Sequence, residues 1–481
     1  MKRENETSEV IDQSTPAVDV AASQRLYKFG LAALVAGIAW FVYKNAGDLN
    51  LQTLLGIGII FLSSLPALNW AARRHTWFPA FEIGMLTCIP FYAVPLLSRH
   101  AELAPYPQAI LNEAGFLVLL YIGMANIGFQ MVRNPGAAPT WAVSSLVPEE
   151  AYRHIPVGLA INTVYVYVSC MQHVIPTAYE GTLRAFFFGI GIMCTFILAR
   201  LLGMGVLSRN TTIFMFVNLT IQVVILFSQL YLISGLSLVI LALIAYSAAQ
   251  RRVPWIFLIS FVALLALLHN GKSEMRRIYW EERKIAPTLL ELPEFFSEWV
   301  GYGLRLDEEK TKDTQTSSSI FDRASLIQML CLSVDRVPST LPYLEGESYV
   351  DIPAQIIPRF MWPGKPSSLL ANVRLALHFN LVSIESAYTV SIAFGMIAES
   401  YVNFGYIGVA LLGLLFGAGL KRIAQLAQNA PQFSALGILM ILLTAWSFQI
   451  ELVLATWLSS LFQATVVCIG LPLIYRRFTQ G

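Results

Sequence analysis

Charge is what this chain has least of. Only 13% of its 481 residues are Asp, Glu, Lys or Arg, against about 25% in an ordinary soluble domain. With 56% hydrophobic residues and a mean hydropathy of +0.61, that shortage excludes a large soluble core and points to a polytopic membrane protein. The two signs nearly cancel, at a net +2, which excludes a strongly basic nucleic-acid binder. Cysteine is sparse too. Cys88, Cys170, Cys194 and Cys468 lie in apolar runs, Cys331 lies in a polar region, and no Cys-x-x-Cys occurs. Neither a disulfide framework nor a zinc site is supported. A GxxxxGK[ST] phosphate loop is missing, which argues against ATP-driven transport, and so is HExxH. Residues 1–24 lack a short apolar run followed by a small-residue cleavage site, so they read as a disordered cytoplasmic tail and not as a signal peptide.

What is present is a succession of apolar runs. A membrane span needs about 20 mostly apolar residues. Such runs fall at 27–46, 51–71, 77–97, 109–132, 154–175, 182–204, 212–232, 235–250 and 253–269, and after a polar interruption at 404–420, 433–450 and 452–475. Positive charge orients them. Arg25 and Lys28, Arg73 and Arg74, Arg133 and Arg153, Arg209, Arg251 and Arg252, Lys421 and Arg422, and Arg476 and Arg477 all fall on one side if there are twelve spans. That side is the cytoplasm, with both termini inside. The expected fold is all-α with about twelve transmembrane helices, in four parts. These are the tail 1–24, a bundle of about nine spans at 25–269, a large extracytoplasmic loop with short helices at 270–403, and a bundle of about three spans at 404–481. Within the loop, Thr316–Ser319 reads as a cap leading into a helix near 320–335. Ile352–Met361 is expected to lie flat at the membrane surface. Ser386–Asn403 is expected to be a re-entrant or interfacial helix, being short for a span.

The loop also carries the residues suited to chemistry. From Ser348 to Arg374, Pro358, Pro363 and Pro366 stiffen the backbone around Arg359, Trp362 and Lys365. No Asp-x-Asp pair occurs in the loop, so a diphosphate there would need cationic side chains. Arg276, Arg277, Arg283, Arg323, Arg336, Arg359, Lys365 and Arg374 are available, arginine being suited to bidentate phosphate contacts and lysine to point contacts. Those at 276, 277 and 283 sit in a mixed-charge run and read as solvated. Arg359 sits in an apolar, proline-framed setting where topology does not favour a cation. Arg323 and Arg336 could equally pair with Asp322, Asp335 or Glu345. Glu345, Glu347 and Asp351 surround the turn before the prolines, and Glu399 lies in an apolar run. A carboxylate at membrane depth is costly and suits a general base, or else a structural partner for a loop arginine. Trp362, Tyr349, Tyr388 and Tyr401 suit stacking on sugar rings, or an interfacial aromatic belt. His378 is a lone loop histidine, a type more often structural than catalytic.

The stretches FDRASLIQMLCLSVDRVPSTLPYLEGESYVDIPAQIIPRFMWPGKP (321–366) and TVSIAFGMIAESYVNFGYIGV (389–409) resemble the Wzy-type oligosaccharide repeat-unit polymerases of bacteria, which make O-antigen or exopolysaccharide. The resemblance rests on Pro-Arg-x-x-Trp-Pro-x-Lys-Pro and Glu-x-Tyr-x-Asn-Phe-Gly. It implies a GT-C-like, metal-independent glycosyltransferase in the inner membrane, without cofactor. Its partners would be undecaprenyl-diphosphate-linked glycans, membrane lipids, a chain-length regulator and a flippase. Arg359, Lys365, Arg323 and Arg336 would then hold the diphosphate, Glu399 or Glu345 would activate the acceptor hydroxyl, and Trp362, Tyr349 and Tyr401 would hold sugar. The alternatives are an O-antigen ligase, which would use a similar loop, a transporter or flippase of lipid-linked sugars, and a non-catalytic export scaffold. Transporters usually show paired repeats and midplane ionisable residues, whereas here the ionisable residues gather in one outer loop. In a strain lacking this gene, the wild-type chain should restore a glycan ladder on a gel. Arg359→Ala at equal membrane level should leave only the single-repeat species.

Overall fold

The computed structural model describes residues 20–73, 78–98, 101–133, 136–146, 154–172, 174–175, 177–230, 232–250, 254–283, 287–304, 326–357, 362, 364–366, 369–384, 392–428, 430–470, 472–474 and 477. Among them there is no strand. The principal helices are α1 (Val20–Lys44), α2 (Leu51–Arg73), α3 (Ala80–Leu97, with a π-turn at Ile89–Ala93), α4 (Gln108–Met131), α5 (Ile155–Tyr167), α6 (Thr177–Gly203), α7 (Arg209–Ser228), α8 (Leu232–Gln250), α9 (Trp255–Arg276), α10 (Leu292–Leu304), α11 (Leu326–Arg336), α12 (Leu370–His378), α13 (Gly395–Leu426), α14 (Ala435–Trp446) and α15 (Leu454–Thr465). Helix is the expected answer for apolar segments in lipid, because only an internally hydrogen-bonded backbone is affordable there.

Ten of the described helices are long and apolar enough to cross a membrane. Two more apolar helices, Ser234–Gln250 and Ala435–Trp446, are shorter. At 1.5 Å per residue, α14 rises only about 18 Å, well short of a hydrocarbon core of about 30 Å. Ser434 fixes where it starts: its backbone is extended and its hydroxyl accepts from Gly437 N at 3.1 Å. The expected re-entrant helix ending at Asn403 and the expected span beginning at 404 are one element instead. Helix α13 runs from Gly395 to Leu426 with a break at Phe404–Gly405. The expected helix near 320–335 is α11, described from Leu326 onward. Of the segment expected to lie flat, Ile352–Ile356 forms a short helix, while residues 358–361 lie outside the described residues.

The chain packs as two compact units. One comprises the described residues of 145–323 and 464–481. In it α9 and α10 meet at bare backbone. A Cβ at Gly271 would fall 2.7 Å from the carbonyl oxygen of Trp299, and one at Gly303 would overlap that of Leu267. Trp299 is wholly buried and its indole N–H donates to the Leu268 carbonyl. Helices α5 and α7 are joined by a polar chain. Asn162 donates to Gln222 at 2.9 Å, Gln222 to Thr163 at 2.8 Å, and Thr163 to Asn218 at 2.9 Å. Such bonds hold helices together where no hydrophobic difference separates protein from lipid.

The other unit comprises the described residues of 14–144 and 324–463. Its axis is the pair α4 and α13. A Cβ at Gly417 would overlap the carbonyl oxygen of Ala125, one at Gly128 would overlap that of Leu414, and one at Gly413 would lie 2.5 Å from that of Tyr121. The sequence Gly413-Leu-Leu-Phe-Gly417 is thus a small-xxx-small contact, and Gln425 extends it by donating to the Val132 carbonyl at 3.2 Å. Gly419, on the same helix, has open space where a Cβ would go. Gly417→Ala should therefore lower the stability of the detergent-solubilised protein by about 1–3 kcal/mol through overpacking. Gly419→Ala should be neutral or stabilising by up to about 1 kcal/mol. Thermal midpoints by fluorescence-detected size exclusion check both.

Candidate functional site

The break in α13 builds the site. Gly395, at φ 75°, starts the helix, and nine residues on Phe404 (φ −139°, ψ 15°) and Gly405 (φ 60°, ψ −143°) leave helical geometry. Only glycine adopts the second conformation cheaply, and a Cβ at Gly405 would lie 3.0 Å from the Tyr343 hydroxyl. The break also folds the chain tightly, since a Cβ at Gly408 would overlap the Ser400 carbonyl oxygen. Peptide groups freed inside a membrane must find partners within the protein.

The partner is the turn Leu344–Glu347. Glu345 (φ 46°) and Gly346 (φ 97°) are both left-handed, and Glu347 N donates to the Leu344 carbonyl at 2.8 Å, which makes a type I′ turn. Five bonds tie this turn and the residues after it to α13. Leu344 N donates to Val402 O at 3.0 Å, Gly346 N to Asn403 Oδ1 at 2.9 Å, and Ser348 Oγ to Glu399 Oε1 at 2.8 Å, while the Tyr349 and Ser400 hydroxyls lie 3.0 Å apart. Asn403 Nδ2 donates to Ser348 Oγ and to the Glu399 carbonyl, both at 2.8 Å. From the other side Leu454 N donates to Glu399 Oε2 at 2.6 Å, and Gly395 N donates to the Glu451 carbonyl at 3.1 Å. Glu399 is wholly buried, with a donor on each oxygen. It pins the turn and the α14–α15 hairpin to one helix end.

The remaining sequence-predicted residues fall as follows. Glu345 is exposed at the turn apex. Tyr349 is half-buried in the network, and burial, aided by the Glu399 charge, pushes its phenol well above the usual range. Tyr401 is buried, its hydroxyl 3.3 Å from Val337 O and 3.5 Å from Glu113 Oε1. Trp362 is exposed. Lys365 is buried and its Nζ donates to Ile357 O at 2.8 Å, and Gln355 Nε2 donates to Pro366 O at 3.2 Å, so both hold the proline turn to the segment before it. Arg336 is more than half exposed, 3.5 Å from its neighbour Asp335. Arg323 and Arg359 lie outside the described residues. Among the described residues, Arg374 is the loop cation brought to the network. It pairs with Asp351 at 2.7 Å and donates to the Glu347 carbonyl, one residue from Ser348. One turn on, burial pushes the His378 imidazole below its ordinary range. Sequence reasoning missed Glu113, to which the Tyr406 hydroxyl donates at 2.6 Å, and Glu451. Each stands alone in or beside an apolar run, where no local pattern singles it out.

A family described as a domain of unknown function (DUF8712) matches residues 150–457, well over half of the chain. The matched range takes in the turn and Glu399, whereas Glu113 precedes it. No curated protein and no solved structure matches the chain.

Removing a donor from the buried carboxylate should cost more than removing one at the surface. Ser348→Ala should lower stability by about 1–3 kcal/mol by leaving Glu399 Oε1 and Asn403 short of a partner. Ser339→Ala, which removes an exposed bond to the Asp335 carbonyl, should stay within about 0.5 kcal/mol. Thermal melts of the two purified variants compare them.

Proposed function

We propose a reaction for this chain, which belongs to the DUF8712 family: the joining of undecaprenyl-diphosphate-linked repeat units into a surface polysaccharide at the outer face of the bacterial inner membrane. The observation that carries this reading is a buried carboxylate at a broken membrane helix, onto which a stretch of the polar loop is bonded. Irregular backbone and ionisable groups in a membrane protein are costly and mark functional sites by default. A glycosyl transfer between lipid carriers needs such a place, open to the bilayer on one side and to water on the other. The leaving group is a lipid diphosphate, whose growing charge requires preorganised cations. Arg374 stands at the Glu347–Ser348 turn, and Arg336 and Lys365 lie in the same unit. Arg323 and Arg359 complete the set proposed from the sequence. The acceptor sugar hydroxyl requires a base, sought among the carboxylates of this helix end, where Glu345 is exposed and Glu399 lies beneath it. Trp362 and Tyr349 offer ring faces to sugar, whereas Tyr401, proposed with them from the sequence, is buried.

The same reading carries a GT-C-like plan of twelve crossings with both termini in the cytoplasm. Although α14 is short, Gly395 N reaches Glu451 O, so residues 435–451 climb to the level at which α13 begins. That climb is what a crossing requires.

The test is reconstitution. Purified protein in liposomes with undecaprenyl-diphosphate-linked repeat units should yield a ladder of longer lipid-linked chains, unchanged by EDTA because cations of the protein hold the diphosphate. Movement of intact single repeats across the bilayer without lengthening would instead establish transport. Lengthening that stops when EDTA is added would refute the metal-independent mechanism.

A further inference from the structure

Glu399 has both carboxylate oxygens engaged and no exposure, so it does not present an oxygen to a substrate. A different carboxylate at the same helix end does. Glu113 sits in the second turn of α4 and is half-buried. Its Oε1 accepts from the Tyr406 hydroxyl at 2.6 Å and lies 3.5 Å from that of Tyr401. Its Oε2 accepts no hydrogen bond from the described residues. Tyr401 has one proton and two acceptors, Val337 O being nearer at 3.3 Å, so Tyr406 is the principal donor.

The helix break creates this arrangement. In an unbroken helix, residues five apart point about 140° away from each other. Here the rings of Tyr401 and Tyr406 lie 5.9 Å apart, edge to face, and Tyr343 lies 6.4 Å from Tyr401. Gly405 turns Tyr406 back toward α4 and leaves room for the Tyr343 hydroxyl. The result is a carboxylate with one oxygen oriented by a phenol, one oxygen open, and the exposed ring of Tyr406 beside it, while Tyr401 is buried. Phe116 and Tyr406, at 6.3 Å, extend the aromatic surface outward, and both are exposed.

We infer that Glu113 is the catalytic base that takes the proton of the acceptor sugar hydroxyl, with Tyr406 orienting its carboxylate. The inference rests on the glycosyl-transfer reading above. The acceptor hydroxyl stands at Glu113 Oε2, with the sugar ring against Tyr406. Its oxygen attacks the anomeric carbon of the donor glycan, and a new glycosidic carbon–oxygen bond forms. The bond from that carbon to the diphosphate oxygen breaks, and its electron pair leaves with the lipid diphosphate. The hydroxyl proton passes to Oε2 and from there to water. Tyr406 donates only to Oε1, so it leaves Oε2 available as the base.

The experiment is chain extension by the purified full-length protein in liposomes holding undecaprenyl-diphosphate-linked repeat units, with Glu113→Gln, Glu113→Asp and Tyr406→Phe beside wild type. Thermal midpoint and a pH profile of the initial rate are recorded for each. Glu113→Gln is expected to slow extension about 10²–10⁴-fold, the usual worth of a general base, at an unchanged midpoint, and to lose the acid limb that wild type shows. Glu113→Asp should recover part of the rate and show an acid limb displaced from the wild-type position. Tyr406→Phe should keep the limb at a reduced rate. A Glu113→Gln rate within about threefold of wild type overturns the assignment, and so does an acid limb that persists in that variant. If Glu113→Gln does not accumulate, Glu113→Asp decides: an acid limb displaced from the wild-type position supports the role, and one left in place overturns it. If wild type moves or binds the lipid-linked units without lengthening them, the glycosyl-transfer reading itself fails and the role of Glu113 falls with it.

Discussion

Everything at the site depends on two helix backbones touching. Helices α4 and α13 meet through Gly128, Gly413 and Gly417, with carbonyl oxygens where side chains would otherwise stand. In lipid there is little hydrophobic gain in burying one apolar helix against another, so close van der Waals fit decides which helices associate. That fit fixes both the distance and the lengthwise register of the pair. The glycine contacts lie toward one end and the Gln425–Val132 bond lies beyond them. Glu113 then falls opposite Tyr401 and Tyr406 at the other end. A slip of one residue along the seam would rotate the carboxylate away from both phenols.

The second constraint is how a broken membrane helix satisfies itself. Gly405 interrupts α13, and the protein answers with a type I′ turn bonded to Val402 and Asn403. Glu399, Ser348, Asn403 and Leu454 N close the network. A buried carboxylate without donors would be severely destabilising. With a donor on each oxygen it becomes the fixed point that joins a loop turn and a hairpin to the helix. This separates holding from chemistry. A group that must stay bonded in order to hold the fold is poorly placed to accept a substrate proton, and a neighbour with one open oxygen is better placed.

Several parts of this were legible beforehand. Among the described residues hydropathy located the long apolar helices, except that it divided Gly395–Leu426 into two elements. Glu399 stood out as a carboxylate in an apolar run, and the structure gives it a physical role in the network; the roles of Asn403 and Gly405 came only with the break in α13. The proline turn could be seen, but the use of its lysine could not. Lys365 bonds a carbonyl eight residues back, a choice made by loop closure and not by local pattern. Arg374 looked like one loop cation among eight. What distinguishes it is Asp351 and the Glu347 carbonyl, brought to it by the packing of α12 on the turn. Glu113 near the start of an apolar run looks like any charged residue at a membrane interface.

The sequence by itself determined the class of solvent and most of the apolar segments suited to it. These follow from composition, which is a local property, whereas the union of Gly395–Asn403 with the following span across a break at Gly405 did not. Tertiary structure alone decided which carboxylate is bonded shut and which keeps an oxygen open. That depends on donors drawn from residues 348 and 454 for Glu399, and from residue 406 for Glu113. Such pairs are distant along the chain and close only because α4 and α13 pack at glycine distance.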